Sequence, residues 1–567
     1  MSGWLPAAMP HLIVVPVLLP LLTAAGMLLL REPGRAWIAA LNVVATAASL
    51  GVAIALMAWV AAEESAGAIG VYLPANWEVP YGIVLAVDRL SALMLVITGI
   101  VSLGAVLFAV ARWHRAGVHF HPLFQVQLMG LNGAFLTADL FNLFVFFEIT
   151  LTASYGLLLH GSGQRRVRAG LHYIAINLLA SSLFLIGVAM IYGITGTLNM
   201  ADVAQKIAAI PVDDRALLYT GAAILGVAFL TKAAMWPLNF WLVPAYASAS
   251  APAAALFVVL TKVGVYAVLR LWTLFLPPLE ETVVRFGTDV LIYGGLLTLA
   301  VATLGMVVSQ NLRRLAALSL VVSAGTLLAV IGFGDAALIG GALFYLIGST
   351  LAASALFLLA ELVERSRERE ETQIVVGDQL ADHLPFYAEM HGEDTNLDDE
   401  EDPLIGRPVP GAMAFLGLSF IACALLIAGL PPLAGFLAKF AMLSMLLDTS
   451  DGGVAGSGGA ISPSAWALLI LLIASSLLSM LALSRAGIRY FWAPHARDAP
   501  RLRLIETVPI AAIVLVCVVM TIAAQPVMSY ANAAARSLMQ PERYIDAIMS
   551  AMPVPGPTRA AIPAGKP

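Results

Sequence analysis

Fourteen apolar runs divide this chain of 567 residues, and each is long enough to cross a bilayer as a helix. A hydrocarbon core of about 30 Å takes about 20 helical residues per crossing. Such runs lie near 11–30, 37–62, 89–111, 122–138, 140–160, 170–193, 217–247, 251–275, 286–309, 314–333, 335–362, 411–447, 463–488 and 504–530. Only 11% of the residues are charged, less than half the usual share, so the chain cannot coat a water-facing surface of its size. The expected fold is an all-α polytopic membrane protein with about 14 transmembrane helices. No positively charged segment precedes the first run and no small-residue cleavage site is evident, so it is expected to be a helix rather than a signal peptide. Cys423 and Cys517 both lie inside apolar runs and imply no disulfide framework. A net charge of −5 argues against a nucleic-acid partner.

The basic residues test the count. With the N-terminus outside, 18 arginines fall on the inner side, against five basic residues in outer loops and four in the C-terminal tail. The outer five are Arg89, Lys206, Arg215, Arg270 and Arg285. This bias is what the positive-inside rule predicts for an even number of spans with both termini outside. The one long polar insertion, 364–410, begins with ERSREREE and continues into GEDTNLDDEEDP. It reads as a solvated helix extension followed by a flexible loop, with a partner-docking surface as the alternative.

Three of the 30 cations remain, and Lys232, Lys262 and Lys439 all sit inside apolar runs. The chain has five lysines against 25 arginines, so surface cations are expected to be Arg and membrane cations Lys. Arginine stays protonated wherever it is placed, whereas a desolvated lysine can release its proton. Burying an ammonium in a span costs about 2.5–3.5 kcal/mol on insertion scales, which a function would have to justify. Snorkelling to the headgroups is the competing explanation. Lys262 lies eleven residues into its run, too deep for that, while the surroundings of Lys232 and Lys439 must decide their case.

Residues 217–247 and 411–447 would measure roughly 46 and 55 Å as straight helices, too long for one crossing. Pro237 interrupts the first, in LTKAAMWPLNFW, and Pro431 and Pro432 the second, in AGLPPLAGFLAKF. Broken helices are tolerated at membrane depth where protein or water satisfies the freed backbone groups. Two such breaks, each beside a lysine, point to a transporter built from inverted repeats. Glu148, in LFNLFVFFEIT, is the one carboxylate near the middle of its run and the natural partner of Lys232. Such a pair holds the ammonium charged when closed and releases it to desolvation when open.

These segments resemble the D-type subunits of the Mrp-type multisubunit cation/proton antiporters. The resemblance is carried by NGAFLTADLFN, LFNLFVFFEITLTASYGLL, INLLASSLFLIGVAMIYGITGTLNMADVA, FLTKAAMWPLNFWLVPAYASASAPAAALFVVLTKVGVYAVLR, AGLPPLAGFLAKF and LSRAGIRYFW, over roughly residues 85–490. The proton-pumping subunits of respiratory complex I share the Glu, the three lysine positions and both broken helices. The resemblance implies that Glu148 pairs with Lys232, that Lys262 is the central relay and that Lys439 is the terminal lysine near a proton exit. It also implies two five-helix inverted repeats, over 122–275 and 286–488, behind an N-terminal three-helix segment (1–121) and followed by a last helix and tail (504–567). Further hydrophobic subunits, of the A, B, C, E, F and G types, are the implied partners, with a plasma-membrane location.

One stretch departs from the family pattern. Where relatives often carry ionisable groups between the relay and terminal lysines, this chain offers Tyr345, Ser349, Thr350 and Ser354, and Ser323 on the preceding helix. A proton path there would run through hydroxyls and water. His114, His119, His121, His160 and His172 fall in or beside inner loops and read as surface or interfacial residues, with His172 a candidate flank for proton intake. No nucleotide motif of the Walker A type and no cofactor is expected. No spacing of oxygen ligands marks a sodium or other metal site. The expected function is a proton-translocating subunit of a Na⁺ or K⁺/H⁺ antiporter, driven by the proton gradient and not an enzyme. The alternatives are a membrane-arm subunit of an energy-converting oxidoreductase, or a scaffold that has lost transport.

Overall fold

A segment surrounded by hydrocarbon must satisfy its own N–H and C=O groups, and in the computed structural model every apolar run contains helix. The structure describes residues 10–29, 35–62, 69–113, 119–161, 163–211, 214–275, 287–381, 411–447, 461–492 and 502–554, with side chains described except at 35, 366–381 and 492. In chain order the helices are α1 (Val15–Leu29), α2 (Arg35–Ala62), α3 (Arg89–Ala111), α4 (Phe120–Leu136), α5 (Leu140–Leu159), α6 (Gln164–Thr195), α7 (Met200–Ala208) and α8 (Arg215–Lys232). They continue with α9 (Leu242–Ser248), α10 (Ala251–Phe275), α11 (Thr288–Val308), α12 (Leu312–Phe333), α13 (Ala336–Ala381), α14 (Gly411–Ala428) and α15 (Ala434–Leu447). The last are α16 (Pro463–Gly487), α17 (Leu504–Ile522), α18 (Ala524–Leu538) and α19 (Pro541–Met549). A two-stranded antiparallel sheet, β1 (Gly70–Tyr72) with β2 (Leu85–Val87), lies in the loop after α2.

Twelve of these helices are long and apolar enough to cross a membrane, and the chain is an all-helical polytopic membrane protein. α1 and α4 are shorter, at 15 and 17 residues. A polar contact joins the two. Pro20 has no N–H for the Pro16 carbonyl one turn back, and the Asn132 amide of α4 donates to that carbonyl at 2.9 Å. The segment 504–530 is not one helix: α17 ends at Ile522, and α18 restarts with Pro526 in its first turn, where a missing N–H costs nothing.

α10, α12 and α13 form the centre, with about nine-tenths of each span buried, while α2, α16 and α17 bury a third. Between α11 and α12 the approach is backbone to backbone. A side chain at Gly295 would lie 2.4 Å from the Ala329 nitrogen, and small residues are what permit such contact without a hydrophobic drive between helices. α13 runs on to Ala381, roughly 69 Å in all, so the polar insertion does begin as a helical extension. Residues 382–410 and His114 lie outside the described residues.

Two expectations about polar residues are corrected here. His121 is buried, not interfacial: its Nδ1 lies 2.7 Å from the Asn42 side chain, in a group with Thr46 and Gln125. The division into surface arginines and membrane lysines also fails. Arg270 lies inside α10, 5% exposed, and pairs with Asp88 at 2.7 Å. The pair holds because a buried charge is tolerated when matched and hydrogen-bonded, and Tyr544 of α19 lays its ring 4.9 Å from the guanidinium. His119 and His172 are exposed and His160 is half-buried.

Candidate functional site

The first broken helix ends at Lys232, where α8 stops five residues before Pro237. A residue preceding proline is pushed out of the helical region, and the chain crosses 233–241 before α9 begins. The freed groups find partners inside the protein. The Trp236 N–H donates to the Thr298 hydroxyl of α11 at 2.8 Å, and Met235 N–H to the Leu230 carbonyl at 3.0 Å. Ala234 takes a left-handed φ of 59°, a conformation that costs a residue with a Cβ about 1–2 kcal/mol. The break packs so closely on α10 that a side chain at Gly264 would fall 2.5 Å from the Ala233 nitrogen. Lys232 therefore stands at the carboxyl end of a half-helix, where the exposed carbonyls favour a cation.

The second break has the same electrostatic design from a different direction. α14 ends at Ala428, and Gly429 turns with φ of 72°, its N–H and that of Leu430 both donating to the Leu425 carbonyl. Pro431 and Pro432 prevent continuation. Lys439, five residues into α15, reaches back and donates to the Ala428 carbonyl at 3.0 Å and to the Ser476 hydroxyl of α16 at 2.8 Å. Each break thus holds an ammonium at the carboxyl end of its first half. With Lys439 4% exposed and hydrogen-bonded inside the protein, snorkelling is excluded for it.

Lys262 is fully buried in the middle of α10. Its Nζ donates to the Ser323 hydroxyl of α12, which donates to Ser349 of α13 at 3.0 Å. Tyr345 stands beside Ser323 and Thr326. Three of the five expected hydroxyls therefore gather at this lysine. The other two do not: Thr350 bonds back to the Leu346 carbonyl of its own helix, and Ser354 donates across to the Ala255 carbonyl of α10 at 3.1 Å.

Glu148 and Lys232 are neighbours without being an ion pair, since no carboxylate of the described residues comes within 4.0 Å of Lys232, Lys262 or Lys439. The helix explains the miss. Successive residues point 100° apart, so Phe147 faces inward and presents its ring 5.2 Å from the Lys232 Nζ. Glu148 instead shares a lateral stripe with the exposed Phe141, Val145 and Thr152. Its Oε1 is nonetheless buried and has no hydrogen-bond partner. Lys232 borders a cavity of about 20 Å³ lined by Phe147, Thr150, Tyr173, Asn177 and Trp241, room for about one water.

Sequence reasoning missed the carboxylates of the helix ends. Asp88 caps α3 and pairs with Arg270. Glu361, 3% exposed, accepts from the Trp113 indole and the Ala251 N–H. Glu364 pairs with Arg313, and Glu506 takes a two-bond grip from Arg365. Arg270 and Glu361 both sit inside apolar runs, so the rule that singled out the lysines could have found them. Among the described residues no group of three or more His, Cys, Asp or Glu could hold a metal ion.

Lysines held at the breaks of interrupted helices, within a polytopic all-helical chain, are the pattern expected of an ion-transporting membrane protein. Comparison with known proteins sharpens this. Residues 137–391 match the family described as NADH:quinone oxidoreductase/Mrp antiporter, TM. The chain is 49% identical to the D-type subunit of a probable K⁺/H⁺ antiporter of Rhizobium meliloti, over 97% of this chain and 99% of that one. It is 32% identical to the D-type subunit of the Na⁺/H⁺ antiporter of Bacillus subtilis, over 95% of this chain and all of that one. Among solved structures it superposes on a chain of the Mrp complex from Dietzia sp. with a TM-score of 0.76, at 25% identity, covering 97% of this chain and 100% of that one. A chain of respiratory complex I from Thermus thermophilus shares the fold, with a TM-score of 0.69 at 22% identity and coverage of 93% and 99%. The chain belongs to the family of D-type subunits of monovalent cation/proton antiporters, and is a membrane transporter component rather than an enzyme.

Proposed function

We propose that this subunit carries the proton limb of a K⁺ or Na⁺/H⁺ antiporter through Glu148, Lys232, Lys262 and Lys439. The observation that carries the proposal is that three amines are held inside the membrane region with no carboxylate within 4.0 Å among the described residues. A paired amine would be locked as ammonium, whereas one held by hydroxyls and carbonyls can change charge. A proton leaving Lys262 passes to the Ser323 oxygen as Ser323 hands its own to Ser349 and Ser349 hands its own to a water beyond it, so neither hydroxyl need ionise. Rotation of Glu148 from its lateral stripe toward Lys232 would close the pair that is open here.

Fourteen crossings put both termini outside, with α1 and α4 as the two short ones, and residues 122–275 and 286–488 form two inverted five-helix repeats. A stripe that carries a carboxylate in mid-span beside exposed positions is disfavoured against lipid, so the Glu148 stripe is expected to meet another hydrophobic subunit, of the A, B, C, E, F or G type, in the plasma membrane. The 49%-identical relative makes potassium the first cation to test. The assay is cation-driven proton movement in everted vesicles lacking native antiporters, comparing potassium, sodium and lithium. Lys262→Ala and Lys439→Ala should abolish exchange while the complex still assembles. Full exchange with an assembled Lys262→Ala complex would refute the relay.

A further inference from the structure

Resting on the reading that protons pass through Lys262, we propose that Glu361 is the positioning residue that fixes where this amine sits. A helix begins with N–H groups that lack helical acceptors. At the start of α10 the local cap is not used: Ser250 precedes it fully buried, yet its hydroxyl has no hydrogen-bond partner. Glu361 of α13 supplies the acceptor instead, taking the Ala251 N–H at 3.2 Å, a carboxylate on the positive end of the helix. Both its oxygens are also held by the Trp113 indole, at 2.9 and 3.0 Å. Arg166 and Arg365 are its charged neighbours.

The turn leading into α10 is gripped as well. Arg166 of α6 donates to the Ser248 carbonyl at 2.9 Å, and Arg313 of α12 to the Ala249 carbonyl at 3.1 Å while pairing with Glu364. Along the rest of the contact α13 meets α10 in antiparallel order, rising positions against falling ones. Ser349 reaches Lys262 through Ser323, Ser354 holds Ala255, and Glu361 holds Ala251. One helix thus carries both the hydroxyl that serves the relay and the carboxylate that anchors the relay helix, about 16 Å away along α10. Since every residue of α10 but Leu260 is buried, displacement at Ala251 is carried to Lys262.

The experiment uses the assembled complex in everted vesicles, with Glu361→Gln, Glu361→Asp, Ser323→Ala and the Glu361→Gln/Ser323→Ala double variant. Glu361→Gln should lower the maximal exchange rate at least about tenfold, within the ~10²-fold that a 1 Å misplacement can cost, and leave the half-saturating cation concentration unchanged. Glu361→Asp should recover part of the rate. The double variant should be no slower than the slower single one, because Glu361 acts only through the Lys262–Ser323 contact that Ser323→Ala already removes. Wild-type rate in Glu361→Gln, or losses that multiply in the double variant, would overturn the proposal. If Glu361→Gln does not assemble, Ser354→Ala tests the adjoining rung by the same rate and saturation criteria, with a wild-type rate overturning the proposal. Lys262→Ala is run alongside: an active variant removes the relay itself, whereas an inactive one beside a wild-type Glu361→Gln removes the positioning role alone.

Discussion

Adding one methyl group at Gly264 should uncouple the first break from the relay helix. A Cβ there would lie 2.5 Å from the Ala233 nitrogen and 2.7 Å from the Lys232 carbonyl carbon, against the 3.4 Å at which ordinary contact begins. The shortfall is about 0.9 Å, and both contacts are backbone atoms that no rotamer can clear. Relief requires α10 and the 233–241 break to part by about that distance, an overpacking cost of about 1–3 kcal/mol. Lys232 sits at that contact, and Lys262 lies two residues before Gly264 on α10. A separation near 1 Å is enough to slow a transfer step by up to ~10²-fold. The assay is exchange rate per assembled complex in everted vesicles. The control is Gly226→Ala on α8, where an added Cβ meets nothing within 4 Å, so that helix propensity alone should make it neutral or slightly stabilising. If Gly264→Ala exchanges as fast as Gly226→Ala with both assembled, the close approach has no part in coupling the break to α10.

Asp88→Asn should destabilise the complex by about 3–5 kcal/mol by leaving Arg270 buried without its partner, read as a lower melting temperature in detergent. Replacing both together, with Asp88→Asn and Arg270→Met, should cost less than the single change, and a larger loss in the double variant would contradict this. Phe147→Leu removes the ring 5.2 Å from the Lys232 Nζ, an attraction of up to about 2 kcal/mol when desolvated. It should slow exchange without changing assembly, and an unaltered rate would show that the ring does not stabilise the ammonium. At the head of α5, burial raises the carboxyl of Asp139 above its ordinary value, outweighing the N–H groups of Asn142 and Phe141 that favour the ionised form. Folding therefore loses stability as pH rises through the ordinary carboxylate range, and Asp139→Asn should raise the neutral-pH melting temperature, with the gain vanishing in acid. A gain that persists below the carboxylate range would assign the effect to something other than charge.

Membrane residence, the helical class and the identity of the buried amines were legible along the chain, because each follows from local quantities. An apolar run must hydrogen-bond to itself, and a charge within it must be neutral, matched or functional. The proline-marked breaks were legible for the same reason: a missing N–H acts on residues a turn away. Contact geometry was not local. Lys439 reaching back to Ala428, Ser354 turning to Ala255 rather than to a relay, and Glu148 standing apart from Lys232 depend on helix rotation and on the register between helices. A rotation of 100° exchanges Phe147 for Glu148 without altering the apolar pattern that identifies α5 as a span. The buried ends of α10 belong to this second class, since Asp88 and Glu361 meet Arg270 and Ala251 across separations of 182 and 110 residues. Only packing of the assembled helices could bring those partners together.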